Sequence, residues 1–178
     1  GAAFAFLLTH LKKWIQAKMP NALRRIFFGS VLLAVCLVLF YQGRYAGMGT
    51  NLIAAAFADQ QTYRYDWLLK MMLTVFTIRI GFLGGEVTPL FAIGTTLGVV
   101  VAPLVGLPVE LVAALGYASV FGSATNTVLA PIFIGGEVFG FQAVPYFAVV
   151  CSVAYFSSGS NSIYGLQNNQ DLRYLRPL

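Results

Sequence analysis

Charged residues are scarce in this sequence. Only 10% of its 178 residues are Asp, Glu, Lys or Arg, whereas soluble domains usually carry about 25%. Across residues 71–170 the charged side chains are limited to Arg79, Glu86, Glu110 and Glu137. This composition excludes a soluble globular domain, a disordered tail and a coiled coil. Because 58% of the residues are hydrophobic, we predict an integral membrane protein whose solvent is the lipid bilayer.

Reactive side chains are also rare. The sequence has a single histidine, His10, and two cysteines, Cys36 and Cys151, which both lie in apolar runs. A metal site or a hydrolytic centre needs several such groups at defined spacings, so we expect no metal, no cofactor and no catalytic residue. A membrane enzyme is therefore an unfavourable alternative. Both cysteines are interpreted as small buried apolar side chains.

The basic residues that are present form a cluster. The net charge is +5, and Lys12, Lys13, Lys18, Arg24 and Arg25 lie within one short stretch. A basic cluster beside long apolar runs is typical of a short cytoplasmic loop, because such loops carry an excess of Lys and Arg. We therefore expect a cytoplasmic connection here and no binding of nucleic acid.

Apolar segments alternate with polar or glycine-rich breaks. They cover residues 1–18, 22–42, 51–58 and 65–82, and long uncharged stretches follow at 87–109, 111–136 and 138–170. The first segment is interpreted as the end of a membrane helix, so that the chain enters a longer protein partway through that helix. Lys70 and Arg79, near the two ends of segment 65–82, are expected to extend towards the membrane interfaces.

Glycine and proline interrupt the uncharged stretches. The first stretch alone contains Pro89, Gly94, Gly98, Pro103 and Gly106, which predicts short, tilted and broken helices. Irregular backbone inside a bilayer is tolerated only where protein buries it or where it lines a watery cavity. The pattern therefore favours a transporter or a channel over a single-pass anchor or a structural subunit.

One segment combines a flexible loop with the start of a helix. Residues 84–89 have the sequence Gly-Gly-Glu-Val-Thr-Pro, in which Thr88 is expected to be the N-cap and Pro89 an early helical residue. A helix N-terminus presents unpaired N–H groups and a positive dipole, which favour an anion. Glu86 at this point is either a carboxylate that favours the dipole or an acid on an ion path, and the low charge of the chain favours the second role.

A second polar break lies late in the sequence. Residues 157–165 are Ser-Ser-Gly-Ser-Asn-Ser-Ile-Tyr-Gly, and they follow a long apolar run. Tyr164 can direct its hydroxyl back into the protein, although position alone favours a tyrosine at the membrane interface.

Together these motifs resemble the C-terminal half of the CLC family of anion channels and proton-coupled antiporters. The family carries a Gly-Gly-x-x-x-Pro element that residues 84–89 match, a short helix that residues 49–53 (Gly-Thr-Asn-Leu-Ile) resemble, and a late tyrosine at the place of Tyr164. The resemblance implies an all-α integral membrane fold, with residues 1–178 as the C-terminal half of an inverted-repeat transporter domain. It also implies an N-terminal half elsewhere, and a homodimer formed through the first segment and residues near 125–157.

The residues between the glycines and the proline indicate which branch of the family the sequence resembles. Chloride-handling members often have Ile-Phe-Ala there, whereas this sequence has Glu86, Val87 and Thr88, which is similar to the fluoride/proton antiporter branch. The resemblance implies that the N–H groups of Glu86 and Val87 and the Thr88 hydroxyl bind the anion, that Tyr164 flanks it, and that Glu86 couples it to protons. It implies fluoride export by proton antiport in a bacterial inner membrane. The alternative is a chloride-selective channel or a chloride/proton antiporter.

Overall fold

The computed structural model describes residues 1–58, 60–159 and 162–164, apart from the side chains of residues 12, 13 and 16, and over this part of the chain it is helical without strands. Eight α-helices follow in the order α1 (Ala2–Lys18), α2 (Ala22–Leu39), α3 (Thr50–Phe57), α4 (Asp66–Ile80), α5 (Val87–Val105), α6 (Val109–Thr125), α7 (Leu129–Phe139) and α8 (Val144–Ser158). Short 3₁₀ turns at Tyr41–Gly43 and Phe141–Ala143 follow α2 and precede α8.

The helices differ in their capacity to cross a bilayer. Among the described residues, α2, α5 and the segment Phe141–Ser158 are long and apolar enough to span, with mean hydropathies of 2.1, 1.8 and 1.3. Three apolar helical segments are shorter: the apolar part of α1, and the whole of α6 and of α7. Short helices therefore occur beside full-length ones, as the glycine and proline pattern predicts. The stretch 87–109 is an exception, because α5 continues without a break through Gly94, Gly98 and Pro103.

Glycine and asparagine end several helices. Gly81 ends α4 and Gly106 ends α5, and both adopt the left-handed conformation (φ +117° and +68°) that glycine accepts without strain. Asn126 ends α6 in the same conformation. The observed α4 therefore lies inside the predicted segment 65–82.

Three predicted boundaries differ from the structure. The stretch predicted at 111–136 is divided at Asn126 into α6 and most of α7. The segment predicted at 22–42 is helical only to Leu39, because Tyr41 and Gln42 have positive φ angles of 56° and 50° in a tight turn. The stretch predicted at 138–170 contains the end of α7 and all of α8, while residues 160–161 and 165–170 lie outside the described residues.

The fold is organised around α5, which packs against α3, α4 and α6. Its contact with α6 is close enough that a Cβ added at Gly94 would overlap the Gly116 carbonyl oxygen, and one added at Gly98 would lie 2.6 Å from the Ala113 Cα. The main core cluster of buried residues lies beside this contact and contains Phe4, Leu8, Met71, Val75, Leu90, Phe91, Ile93, Val120, Phe121 and Ala124. This packing fixes the first turns of α5 against α1, α4 and α6.

Large apolar side chains remain exposed on the outer helices. On α2 and α8 they include Phe27, Phe28, Leu32, Val35, Tyr146, Val149, Val153 and Phe156. Exposed apolar area of this extent marks a surface that faces lipid or another protein surface, in agreement with the membrane environment that the composition predicts.

Candidate functional site

The loop between α4 and α5 is open. Its residues 81–85 are exposed, and a Cβ added at Gly84 or Gly85 would meet no atom within 4 Å. From Glu86 to Thr88 the residues are partly buried, and Pro89 and Leu90 are buried. The chain thus passes from an exposed, glycine-loosened loop into the core over a few residues.

Helix α5 begins at Val87, two residues earlier than an N-cap at Thr88 would require. Glu86 occupies the N-cap position with helical backbone angles (φ −88°, ψ −19°), and its carbonyl accepts the first helical bond from the Leu90 N–H at 3.2 Å. The prediction that Thr88 is the N-cap is therefore wrong, because Thr88 already lies inside the first turn. Pro89 follows it there, at a position where the missing N–H breaks no helical bond.

The first turn of α5 has the donors that an anion requires. The N–H groups of Glu86, Val87 and Thr88 precede the first residue that an i−4 carbonyl within α5 can satisfy, and no side chain caps the helix. The positive end of the helix dipole lies at the same point. The backbone here, together with the Thr88 hydroxyl, forms a set of hydrogen-bond donors beside the carboxylate of Glu86.

A cavity of about 280 Å³ adjoins this turn. Gly84, Gly85 and Pro89 line one part of it, and Thr74 and Lys70 of α4 line another. Its wall is mainly apolar, since Leu33, Leu37, Leu73 and Phe82 also contribute to it. The Gly-Gly element of the open loop thus borders a partly open cavity.

The segment that carries Tyr164 packs onto the end of α6. The Ile163 N–H donates to the Ala124 carbonyl (2.9 Å), and the Ser162 hydroxyl donates to the Thr125 carbonyl (3.2 Å). Ile163 and Val87 both pack against the main core cluster, so this segment and the start of α5 approach the same part of the core. Tyr164 itself is 44% exposed, and no hydrogen bond joins its side chain to α5 within the described residues.

Lys70 does not extend towards an interface, and that prediction is wrong. It is only 1% exposed, and its ammonium donates to the carbonyl oxygens of Tyr45 (3.0 Å) and Gly47 (2.6 Å). The loop before α3 contains Gly47 and Gly49 with positive φ angles, so its carbonyls have no regular helical donors. The buried ammonium supplies those donors and fixes the loop against α4.

A carboxylate outside the sequence motifs anchors the same loop. Asp66 is fully buried and accepts hydrogen bonds from Arg44 (2.8 Å), the Tyr45 hydroxyl (2.6 Å) and the Tyr63 N–H (2.9 Å). Burial and the bond to Asp66 raise the pKa of Tyr45, so its hydroxyl remains a donor. The available signal was the spacing of Asp66 and Lys70, which places both on one face of α4.

Other clusters offer little chemistry. Among the described residues, no group of three or more His, Cys, Asp and Glu side chains is arranged to hold a metal. Cys36 and Cys151 are free thiols, and Cys151 is fully buried in a cluster with Ala118, Ile132 and Phe147. The start of α5 is therefore the candidate site that the described geometry favours.

The sequence matches the family described as voltage gated chloride channel over residues 1–159. The chain belongs to this family. A solved CLC-type fluoride/proton antiporter resembles it with a TM-score of 0.92 and 65% sequence identity, over 94% of this chain and 42% of that chain. The predictions of the family and of an all-α integral membrane fold of CLC type are thereby confirmed.

Two curated proteins are similar to this chain. A chloride/fluoride channel protein of Pseudomonas syringae pv. tomato is 36% identical over 184 residues, which cover 100% of this chain and 40% of that protein. An uncharacterized protein of Methanocaldococcus jannaschii is 28% identical over 158 residues, or 82% of this chain and 39% of that protein. The chain thus spans about two fifths of the length of these relatives.

Proposed function

We propose that the complete protein containing this chain exports fluoride across a bacterial plasma membrane in exchange for protons. The observation that carries the proposal is the sequence Glu86-Val87-Thr88 in an uncapped first turn of α5, beside an open loop. The 65% identity to a CLC-type fluoride/proton antiporter supports it. The proposed activity is transport and involves no enzymatic step.

Each residue has a separate role in this proposal. The N–H groups of Glu86 and Val87 and the hydroxyl of Thr88 donate to the anion, and Tyr164 flanks it. Fluoride is small and strongly hydrated, so a binding site must replace lost water with several donors. Glu86 exchanges the proton, because an ionised carboxylate beside the anion repels it and a protonated one does not.

The chain is proposed to act as one part of a larger assembly. It spans about two fifths of its relatives, and we assign it to the C-terminal half of one membrane domain, which acts with an N-terminal half of the same protein. A homodimer formed through the first segment and residues 125–157 is also proposed. The exposed apolar side chains of α8, such as Tyr146, Val149 and Val153, support an interface there.

Flux measurements on the complete protein in liposomes test these assignments. An outward fluoride gradient should drive proton uptake in the wild type, and Glu86→Gln should lose that uptake. Glu110→Gln is the matched control, because Glu110 is an exposed acid at the start of α6, and it should keep the coupling.

Thr88→Val should weaken fluoride binding about 10- to 100-fold, the value of one hydrogen bond to a charge, while Thr88→Ser should retain it.

Two results would contradict the proposal. An unchanged proton-to-fluoride ratio in Glu86→Gln would remove Glu86 from the coupling mechanism. Equal rates for chloride and fluoride in the wild type would exclude fluoride selectivity and favour the chloride-transporting alternative.

A further inference from the structure

A groove lies where the end of α1, the start of α2 and the end of α4 meet. Its volume is about 240 Å³. The wall is largely apolar and includes Phe28 and Leu32 of α2 and Phe76 of α4. Lys18 and Arg25 also line it, and we call it the basic groove. It combines an apolar wall with two cationic side chains.

Lys18 is held at the basic groove by an aromatic side chain. It lies in the last turn of α1, and its ammonium is 4.5 Å from the centre of the Trp14 ring, which is a cation–π contact. Trp14 also lines the groove and is 57% exposed. Tryptophan is enriched where the hydrocarbon meets the headgroups, and lysine extends its ammonium to the same level. The pair therefore places this end of the groove at a membrane interface.

Arg25 is fixed in the basic groove by backbone carbonyls. It donates to the carbonyl oxygens of Ile80 (3.3 Å) and Met19 (3.5 Å), which uses two of the five N–H donors of a guanidinium. No acid holds the others in the described part of the chain, where Arg44–Asp66 is the ion pair found. A guanidinium with free donors matches the oxygen atoms of a phosphate group.

The sequence around the groove has no acid that compensates these charges. Residues 1–58 contain six Lys or Arg and no Asp or Glu, and α4 has no acid after Asp66, its first residue. The next acid along the chain, Glu86, lies at the start of α5 and is not among the residues that line the groove. A ligand of net negative charge is favoured over a zwitterionic one, because the ammonium of a zwitterion finds no carboxylate here.

An apolar stripe continues from the groove along α2. Its members recur every three or four residues, so they share one face of the helix, and they are 49–74% exposed: Phe28, Leu32, Val35 and Leu39. From Phe28 to Leu39 the helix rises about 16 Å at 1.5 Å per residue, close to half of a hydrocarbon core of about 30 Å. The stripe therefore has the length of one leaflet, which suits an acyl chain that begins in the groove.

We propose that the basic groove binds an anionic phospholipid of the cytoplasmic leaflet. Arg25 and Lys18 bind the headgroup phosphate, Trp14 lies beside the glycerol, and one acyl chain follows the stripe on α2. The cytoplasmic side follows from the excess of Lys and Arg in the connection between α1 and α2. Basic pockets between membrane helices on this side bind anionic headgroups in general.

The test measures phospholipid binding to the complete protein by native mass spectrometry from a neutral detergent. The probes are phosphatidylglycerol and phosphatidylcholine with the same acyl chains. The wild type should prefer phosphatidylglycerol about 30-fold, since each of two basic side chains contributes about a factor of five. Lys18→Gln and Arg25→Gln should each reduce this preference about fivefold. If Arg25→Gln does not fold, Lys18→Gln, whose side chain is exposed, carries the test alone.

Arg24→Gln is the matched control. Arg24 is adjacent to Arg25 in the same basic cluster and is exposed, but it is not among the residues that line the groove. Its preference should therefore equal that of the wild type. An equal loss of preference in Arg24→Gln and in the groove variants would show a diffuse effect of surface charge and would overturn the site.

Two other results would also overturn the proposal. Equal binding of the two phospholipids by the wild type would remove the recognition of the headgroup and leave the groove to bulk lipid or to another segment of the complete protein. Displacement of bound phosphatidylglycerol by an excess of inorganic phosphate would show a site for phosphate alone, to which the apolar stripe adds nothing. Both results are read from binding, so they are independent of the proposed transport activity.

Discussion

The contact between α5 and α6 allows a sharp prediction about stability. At Gly94 the two backbones are so close that an added Cβ would lie 2.7 Å from the Gly116 carbonyl carbon and would overlap its oxygen. Gly116 is constrained in the same way by the carbonyl of Gly94. Because both obstacles are backbone atoms of packed helices, neither can rotate away as a flexible side chain would, and Gly94→Ala must push the helices apart.

The expected magnitude follows from two opposing terms. Overpacking a well-packed interior costs about 1–3 kcal/mol, and more where nothing can yield. Alanine in place of a helical glycine gains about 1 kcal/mol in helix propensity. Because the obstacles at Gly94 are backbone atoms, we place its overpacking cost at the upper end of that range, about 3 kcal/mol or more, which leaves a net loss of about 2 kcal/mol or more. Gly116→Ala should cost a similar amount, and the double variant should lose less than the sum, because the first substitution already separates the helices.

This loss of stability is measured by unfolding the complete protein in detergent. Tryptophan fluorescence and the fraction of protein that stays monodisperse after heating report the unfolding. Gly84→Ala is the matched control: the same methyl group would meet nothing within 4 Å, so its stability should equal that of the wild type or exceed it slightly. If Gly94→Ala is as stable as Gly84→Ala, the close approach of α5 and α6 is wrong. Strict additivity of Gly94→Ala and Gly116→Ala would also refute the shared contact.

Two further predictions concern the polar network around the loop before α3. Asp66→Ala leaves Arg44 and the Tyr45 hydroxyl without their buried acceptor and should cost about 3–5 kcal/mol; Asp66→Asn, whose amide oxygen still accepts, should cost clearly less in the same thermal unfolding measurement. Lys70→Met removes the donor to the Tyr45 and Gly47 carbonyls and should cost about 1–3 kcal/mol. It should also speed amide hydrogen exchange in this loop, and unchanged exchange would show that the loop is held by other contacts.

Much of the fold could be predicted because the helices of a membrane protein have simple sequence signals. Scarce charge defines the apolar runs, and glycine at positions such as Gly81 and Gly106 ends them with left-handed caps. The Gly-Gly-Glu-Val-Thr-Pro sequence likewise identified the start of a helix, and α5 begins there. These features depend on the chemistry of neighbouring residues, which can be recognised in a single sequence.

The wrong predictions about buried charged residues have a common physical origin, which is tertiary contact and not local sequence. Lys70 was expected to extend to an interface because a lone lysine in an apolar helix usually does so, but its partners are carbonyls of a loop more than 20 residues earlier. Asp66 gathers donors from the same distant loop. Such tertiary hydrogen bonds decide the position of a buried charge. The spacing of Asp66 and Lys70 shows that they share a face of α4, but it does not identify their partners.

The N-cap is Glu86 and not the predicted Thr88, and this difference affects how the site can work. Had Thr88 been the N-cap, its hydroxyl would have been directed at the backbone N–H groups of its own helix. Instead Glu86 holds the N-cap position without a side-chain capping bond, so neither its carboxylate nor the threonine hydroxyl is committed to the first turn. The first-turn N–H groups and the Thr88 hydroxyl have no hydrogen-bond partner among the described residues, so they are available to one external acceptor. The carboxylate that competes for the same positive helix end is the group whose protonation removes that competition.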